Sequence, residues 1–239
     1  MKRRHVLAAT PALLALPSRG LRAQPASPAQ PIVVELFTSQ SCSSCPPADA
    51  VLTEFVRDRP DLLPLSFHVT YWDRLGWRDR FSLQSAAERQ RRYGSTLVET
   101  AFGPGQVYTP QIVVQGRRDA VGSDRGAVLS AIAAVSSNRV QVPVALAEQG
   151  GAASFLVGTG AGSGTIWLIG FDRYHVTEVR AGENGGRTLG YSNVVRGIAS
   201  AGTWEGRVVR ATAPKPDGER MALLLQGADG GILGAALAS

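Results

Sequence analysis

Cys42 and Cys45 are the only two cysteines in 239 residues, and the segments on either side of them dictate a local fold. Ile32-Val33-Val34-Glu35-Leu36-Phe37 reads as a buried strand. Pro46-Pro47-Ala48-Asp49-Ala50-Val51-Leu52-Thr53-Glu54-Phe55 opens a helix, with proline tolerated in the first turn. A strand, a two-thiol turn and a helix follow one another. The partial positive charge of a helix start stabilises a thiolate, the form of cysteine that attacks a disulfide.

Charge points to export rather than to an anionic partner. Met1-Lys2-Arg3-Arg4, the apolar run to Leu16 and the small residue Ala23 have the parts of a secretory signal peptide over 1–23. Arg3-Arg4 leaves both the general and the twin-arginine export routes open. The formal net charge is +6, but Lys2, Arg3, Arg4, Arg19 and Arg22 lie in that segment with no acid beside them. Its removal leaves about +1, so nucleic-acid binding loses its support. Residues 24–30 read as a linker, and no later stretch is long and apolar enough for a permanent membrane span. A periplasmic or secreted protein is expected. Arg89, Arg91 and Arg92 read as a solvated helix end.

The pattern changes part-way along the chain. Over 31–137 the expected order is βαβαββα. A second strand covers 63–69, and a helix from Ser82 stops at Gly94. A hairpin turns at Gly116, and a helix capped by Ser123-Asp124 follows. Over 138–239 there are short strand signals at 140–146, 153–158, 164–170, 174–180, 193–198, 204–211, 220–226 and 231–237. These suggest an all-β, sandwich-like second domain, with a boundary near 136–138.

A Cys-x-x-Cys at the first helix start and a proline before the third strand resemble the thioredoxin fold. Val34-Glu35-Leu36-Phe37-Thr38-Ser39-Gln40, Cys42-Ser43-Ser44-Cys45-Pro46-Pro47-Ala48-Asp49 and Val107-Tyr108-Thr109-Pro110-Gln111 resemble the DUF1223 family of exported thioredoxin-like proteins. So does Gly182-Glu183-Asn184-Gly185-Gly186-Arg187-Thr188-Leu189 with Asn193-Val194-Val195-Arg196. Ser41 stands where the pattern leads one to expect glycine. The resemblance implies that Cys42 is the exposed attacking sulfur and Cys45 the resolving one. It also implies that Thr109-Pro110 is a cis turn against them, whose backbone receives an extended partner segment.

Other residues carry weaker signals. Glu35 is an acid in a strand expected to be covered on both faces. The resemblance makes it a general base for Cys45, and a structural ion pair is the other reading. Ser43 and Ser44 donate toward the thiolate, which would favour oxidising power. Tyr71-Trp72-Asp73 and Trp77 either line a substrate groove or close the core. Glu183 to Arg196 either lines a cleft or is a plain hairpin, and Asp49 complements the helix dipole.

The expected reaction is thiol–disulfide exchange with periplasmic protein thiols or disulfides, with no organic cofactor because the cysteines carry the electrons. A four-residue disulfide loop stabilises little, which argues against a mere staple. Beyond the signal segment only His68 and His175 are available, too few for a structural zinc site. Copper(I) held by Cys42, Cys45 and His68 is the alternative metal reading, and a non-catalytic binding module is a third. The redox reading requires Cys42 to be reachable.

Overall fold

The computed structural model describes residues 30–97, 100–136 and 141–239. The expected signal segment 1–23, nearly all of the expected linker 24–30 and residues 137–138 of the expected boundary lie outside that set. The first half follows the expected order: β1 (Ile32–Thr38), α1 (Pro46–Asp58), β2 (Leu62–His68), a 3-10 turn (Thr70–Trp72), α2 (Gln84–Thr96), β3 (Gln111–Val114), β4 (Arg118–Val121) and α3 (Arg125–Ser136).

Strand β1 is buried along its whole length because helices cover both faces. Side chains alternate across a strand, so Val33 and Phe37 join Ala86, Ala87 and Tyr93 of α2 in one core. Ile32, Val34 and Leu36 join Ala48, Leu52 and Phe55 of α1, with Val128 and Ile132 of α3, in another. Helix α3 begins as its sequence demands, with Asp124 Oδ1 accepting the Ala127 N–H at 2.9 Å. Helix α2 begins later than expected. Leu83 is the extended residue before it, and the Ser82 hydroxyl donates instead to Asp73 at 2.7 Å. Gly94 is buried inside the helix rather than ending it. A Cβ there would lie 3.4 Å from the Gly105 carbonyl.

The second half supplies β5 (Val144–Gln149), β6 (Ala152–Val157), β7 (Gly164–Glu178), β8 (Thr188–Trp204), β9 (Val209–Pro214), β10 (Arg220–Gly227) and β11 (Ile232–Leu237). It does not close into a sandwich of its own. Four of these strands extend the first half's sheet, giving eight strands in the order β11-β10-β7-β8-β2-β1-β3-β4. An open β2 edge would leave unpaired N–H and C=O groups, and β8 covers it. The expected strands 164–170 and 174–180 are one strand of 15 residues, paired with a partner of 17. Local sequence signals could not reveal that this pair runs on past its bulges. The remaining strands form a small sheet, β5-β6-β9. Its Leu146, Phe155 and Val157 enclose a third core with Ile166, Leu168, Leu223, Leu225 and Trp204.

Within the joined sheet β1 and β2 run parallel and β3 pairs antiparallel to β1. The β2–β8 seam is narrow, with Ser66 opposite Val194 as its one ladder pair. The long β7–β8 ribbon carries its turn, residues 179–187, to the cysteine-bearing loop after β1. Among the described residues no helix is long and apolar enough to cross a membrane.

Candidate redox site

Cys42 and Cys45 form a disulfide with their Cα atoms 5.4 Å apart. Cys45 is the residue before α1, and its carbonyl accepts the N–H groups of Ala48 and Asp49 at 2.8 and 3.1 Å. Pro46 and Pro47 carry no N–H, so this helix start has fewer donors for a thiolate than an ordinary one. The Thr109–Pro110 peptide bond is cis. Thr109 donates its hydroxyl to Cys42 Sγ at 3.4 Å and accepts the Trp72 indole N–H at 2.8 Å. The Ser44 hydroxyl lies 3.3 Å from the same sulfur.

These contacts leave Cys42 with 0% exposure, as is Cys45, which corrects the expectation of an open attacking sulfur. A free Cys-x-x-Cys turn would expose its first cysteine, but here neighbouring segments close over it. Ser41 contributes too, its hydroxyl donating to the Trp77 carbonyl at 2.8 Å. Tyr71 and Trp72 pack against the α2-side core, and Trp77 donates its indole N–H to Gln40 at 2.8 Å. The aromatic loop therefore closes the core.

The β7–β8 turn is more than a plain hairpin. Asn184, fully buried, donates both amide hydrogens to the cysteine loop, to Gln40 O at 3.0 Å and Cys42 O at 2.8 Å. Arg187 fixes that amide by donating to its Oδ1 at 2.8 Å. Glu183 Oε2 accepts the Ser43 N–H at 2.9 Å. Hydrogen bonds from the Ser43 backbone, then from its hydroxyl, hold the Glu183 carboxyl below its ordinary value. Gly182 sits at φ +73° with a Cβ position only 3.1 Å from Trp77, which favours glycine there. Asn193 and Arg196 stand elsewhere: Asn193 donates to Pro64 O, and Arg196 pairs with Asp172.

Glu35 does not reach the cysteines. Its position on β1 sends it to the α2 face with Val33 and Phe37, whereas α1 packs on the other. There Arg89 donates to it at 2.5 and 2.9 Å and Tyr93 at 2.6 Å, so Glu35 is one half of a buried ion pair. Arg89 is correspondingly buried and not part of a solvated helix end. It also donates to Gln226 of β10 at 3.1 Å.

The acid one helical turn from Cys45 is Asp49, whose backbone N–H donates to the Cys45 carbonyl at 3.1 Å. It lies four residues after Cys45, on the same face of α1, and continues a stripe with Ala48, Leu52 and Phe55. That acid in an apolar stripe was the available signal. Asp49 is 5% exposed, and neither carboxylate oxygen has a hydrogen-bond partner. Burial pushes its carboxyl up to about 7, opposed in part by His68 and by the nearby Thr38 hydroxyl, which stops short of hydrogen-bond geometry.

His68, fully buried, meets Asp79 Oδ2 through Nδ1 at 2.6 Å. Burial alone would lower the imidazole, but the charge and hydrogen bond of Asp79 and the charge of Asp49 outweigh it, and the net shift is upward. Burial likewise tends to raise Asp79, yet His68 and the N–H groups of Gln40 and Phe81 bring it below its ordinary value. His68 Nε2, Tyr191 Oη, Thr38 Oγ1 and Ser66 Oγ are buried without partners, as the Asp49 oxygens are. The His68 and Tyr191 rings lie 4.9 Å apart. Among the described residues no three His, Cys, Asp or Glu side chains converge as a metal-holding group, so the expected copper triad with His68 is not assembled.

The profile of a family described as proteins of unknown function, DUF1223, matches residues 33–226. The chain belongs to the DUF1223 family. A crystal structure of protein AGR_C_4864 from Agrobacterium tumefaciens is similar at 31% identity and TM-score 0.74, over 89% of this chain and 96% of that one. HBP35 of Porphyromonas gingivalis shares the fold at 13% identity and TM-score 0.59, over 88% of this DUF1223 chain and 75% of its own. Among curated proteins none matches.

Proposed function

We propose that this DUF1223 protein is an exported, thioredoxin-like thiol–disulfide exchange protein that acts on cysteines of periplasmic proteins through Cys42 and Cys45. The βαβαββα order, the disulfide at the α1 start and Thr109–Pro110 beside it support the thioredoxin-like reading. The observation that carries the reaction is Asp49. A carboxyl buried without a partner costs stability, and a disulfide serving only as a staple gives no reason to keep one a helical turn away. Buried acids with raised pKa values are enriched at reactive sites.

In the reductive half-reaction a partner thiolate attacks Cys42 Sγ, forming a mixed disulfide and releasing Cys45 as the leaving thiolate. Asp49, protonated at mildly acidic to neutral pH, gives Cys45 its proton. A second partner thiolate then attacks the partner sulfur of the mixed disulfide and frees Cys42. The partner dithiol ends as a disulfide, and its two electrons rest on Cys42 and Cys45. Run backward, the same steps oxidise Cys42 and Cys45, and Asp49 takes the proton from Cys45 as it attacks. Asp49 also lines a groove of ≈ 480 Å³ between α1 and the β7–β8 pair, with Thr53, Tyr174 and Gly190.

Because Cys42 is covered, a partner must displace the Thr109 and Ser44 hydroxyls before attack. The test is Cys45→Ser expressed with its export signal. The expected result is covalent complexes with envelope proteins, released by dithiothreitol and absent in Cys42→Ser. No such complexes, together with a wild-type disulfide that resists dithiothreitol until the protein unfolds, would leave the inert module as the reading.

A further inference from the structure

We infer that the β7–β8 turn is a redox-setting clasp, in which Asn184 pins the cysteine loop and the Glu183 carboxylate opposes formation of the Cys42 thiolate. The inference rests on the exchange reading, since it names residues that adjust the same sulfur pair. Its basis is the placement of two side chains more than 130 positions away in the chain. Asn184 spends both amide hydrogens on the carbonyls of Gln40 and Cys42, and Arg187 holds its oxygen. Glu183 takes the N–H of Ser43, the residue next to Cys42.

The chemistry of this contact has a definite sign. Reduction breaks the Cys42–Cys45 bond, takes two electrons from a dithiol that becomes a disulfide, and leaves Cys42 able to ionise. A backbone N–H beside a thiolate lowers its pKa, and an anion beside it raises the pKa. Glu183 engages the donor and supplies the anion. Hydrogen bonding from Ser43 keeps that carboxyl ionised at neutral pH, and among the described residues no basic group forms an ion pair with it. With Pro46 and Pro47 also lacking N–H groups, the Cys42 thiolate receives little support from the helix start. A less stable thiolate makes the reduced form less stable, so the clasp makes the couple more reducing. This reverses the oxidising bias expected from Ser43 and Ser44 alone.

The test is redox equilibration of wild type, Glu183→Gln and Glu183→Ala with dithiothreitol or glutathione, with the Cys42 pKa taken from the pH dependence of alkylation. Gln keeps an acceptor for the Ser43 N–H and removes the charge, so it separates charge from geometry. The expected result for Glu183→Gln is a Cys42 pKa lower by about 0.5 to 1 and a disulfide-forming equilibrium constant lower by about three- to tenfold. Tenfold corresponds to about 30 mV for a two-electron couple. Unfolding midpoints should stay near wild type for Gln, which a merely structural role would also give, so the pKa and the equilibrium constant decide. Exchange by wild type with both quantities unchanged in Glu183→Gln would overturn the clasp alone. A folded wild-type disulfide that never equilibrates with either reagent would overturn the exchange reading and the clasp with it.

Discussion

Replacing Asp49 with Asn should stabilise the protein at alkaline pH and leave it nearly unchanged in acid. The carboxyl is raised from 3.8 to about 7 in the folded state, chiefly by burial, while in the unfolded chain it titrates near its ordinary value. Between those two values the unfolded state has released a proton that the folded state still holds. Stability therefore falls as pH rises from about 4 to about 7 and then levels off. At about 1.4 kcal/mol per pH unit the full loss is about 4 kcal/mol. That figure is already net of the attraction to His68, and part of it is offset in the variant because the amide brings unpartnered donors. A net gain of about 2–4 kcal/mol at about pH 8 is the expectation, shrinking toward zero at about pH 4.5. Urea unfolding of wild type and variant at both pH values measures it, and the remaining groups of the cluster, His68, Asp79 and Tyr191, are common to both proteins. If the difference between the two proteins were the same at both pH values, or if Asp49→Asn were less stable at pH 8, the argument from burial would be refuted. The same variant should slow exchange even as it stabilises the fold, since Cys45 loses its proton donor and acceptor.

Two further outcomes follow from contacts described above. Arg89→Met should destabilise by about 3–5 kcal/mol in urea, because Glu35 is left buried without its ionic partner. Glu35→Leu with Arg89→Met should recover most of that loss, and neither protein should shift the redox equilibrium. Trp72→Phe removes the indole donor to Thr109 and loosens the cover over Cys42. Reduction by dithiothreitol should quicken several-fold while stability drops by only about 1 kcal/mol, and an unchanged rate would show that Thr109 is not a barrier.

What the sequence shows plainly is what local chemistry decides. The apolar run of β1, the prolines that start α1 and the Asp124 cap of α3 each act within a few residues. What it hides depends on faces and distant partners. Glu35 offers two readings in the sequence, a base behind Cys45 or half of an ion pair, and strand alternation, which puts it on the α2 face with Arg89, gives the pair. Asp49 was read as a dipole complement, although its four-residue offset from Cys45 puts it on the helix face that carries the sulfur. The Glu183-Asn184 turn looks like any other Asn-Gly hairpin until β8 has docked on β2, a pairing that no nearby residue announces. Burial of Cys42 is a product of that same docking and of the loop that carries Thr109.

The narrow seam at Ser66 and Val194 has a bearing on any attempt to divide the chain. A fragment ending after α3 would keep both sulfurs and yet bare the β2 margin. Arg89 would be stripped of Gln226, and Gln115 of the Ile232 carbonyl that its amide reaches at 2.9 Å. Neither half is a spare part: the second completes walls of the first, so excision would be expected to yield a sticky, partly opened remnant rather than a smaller working protein.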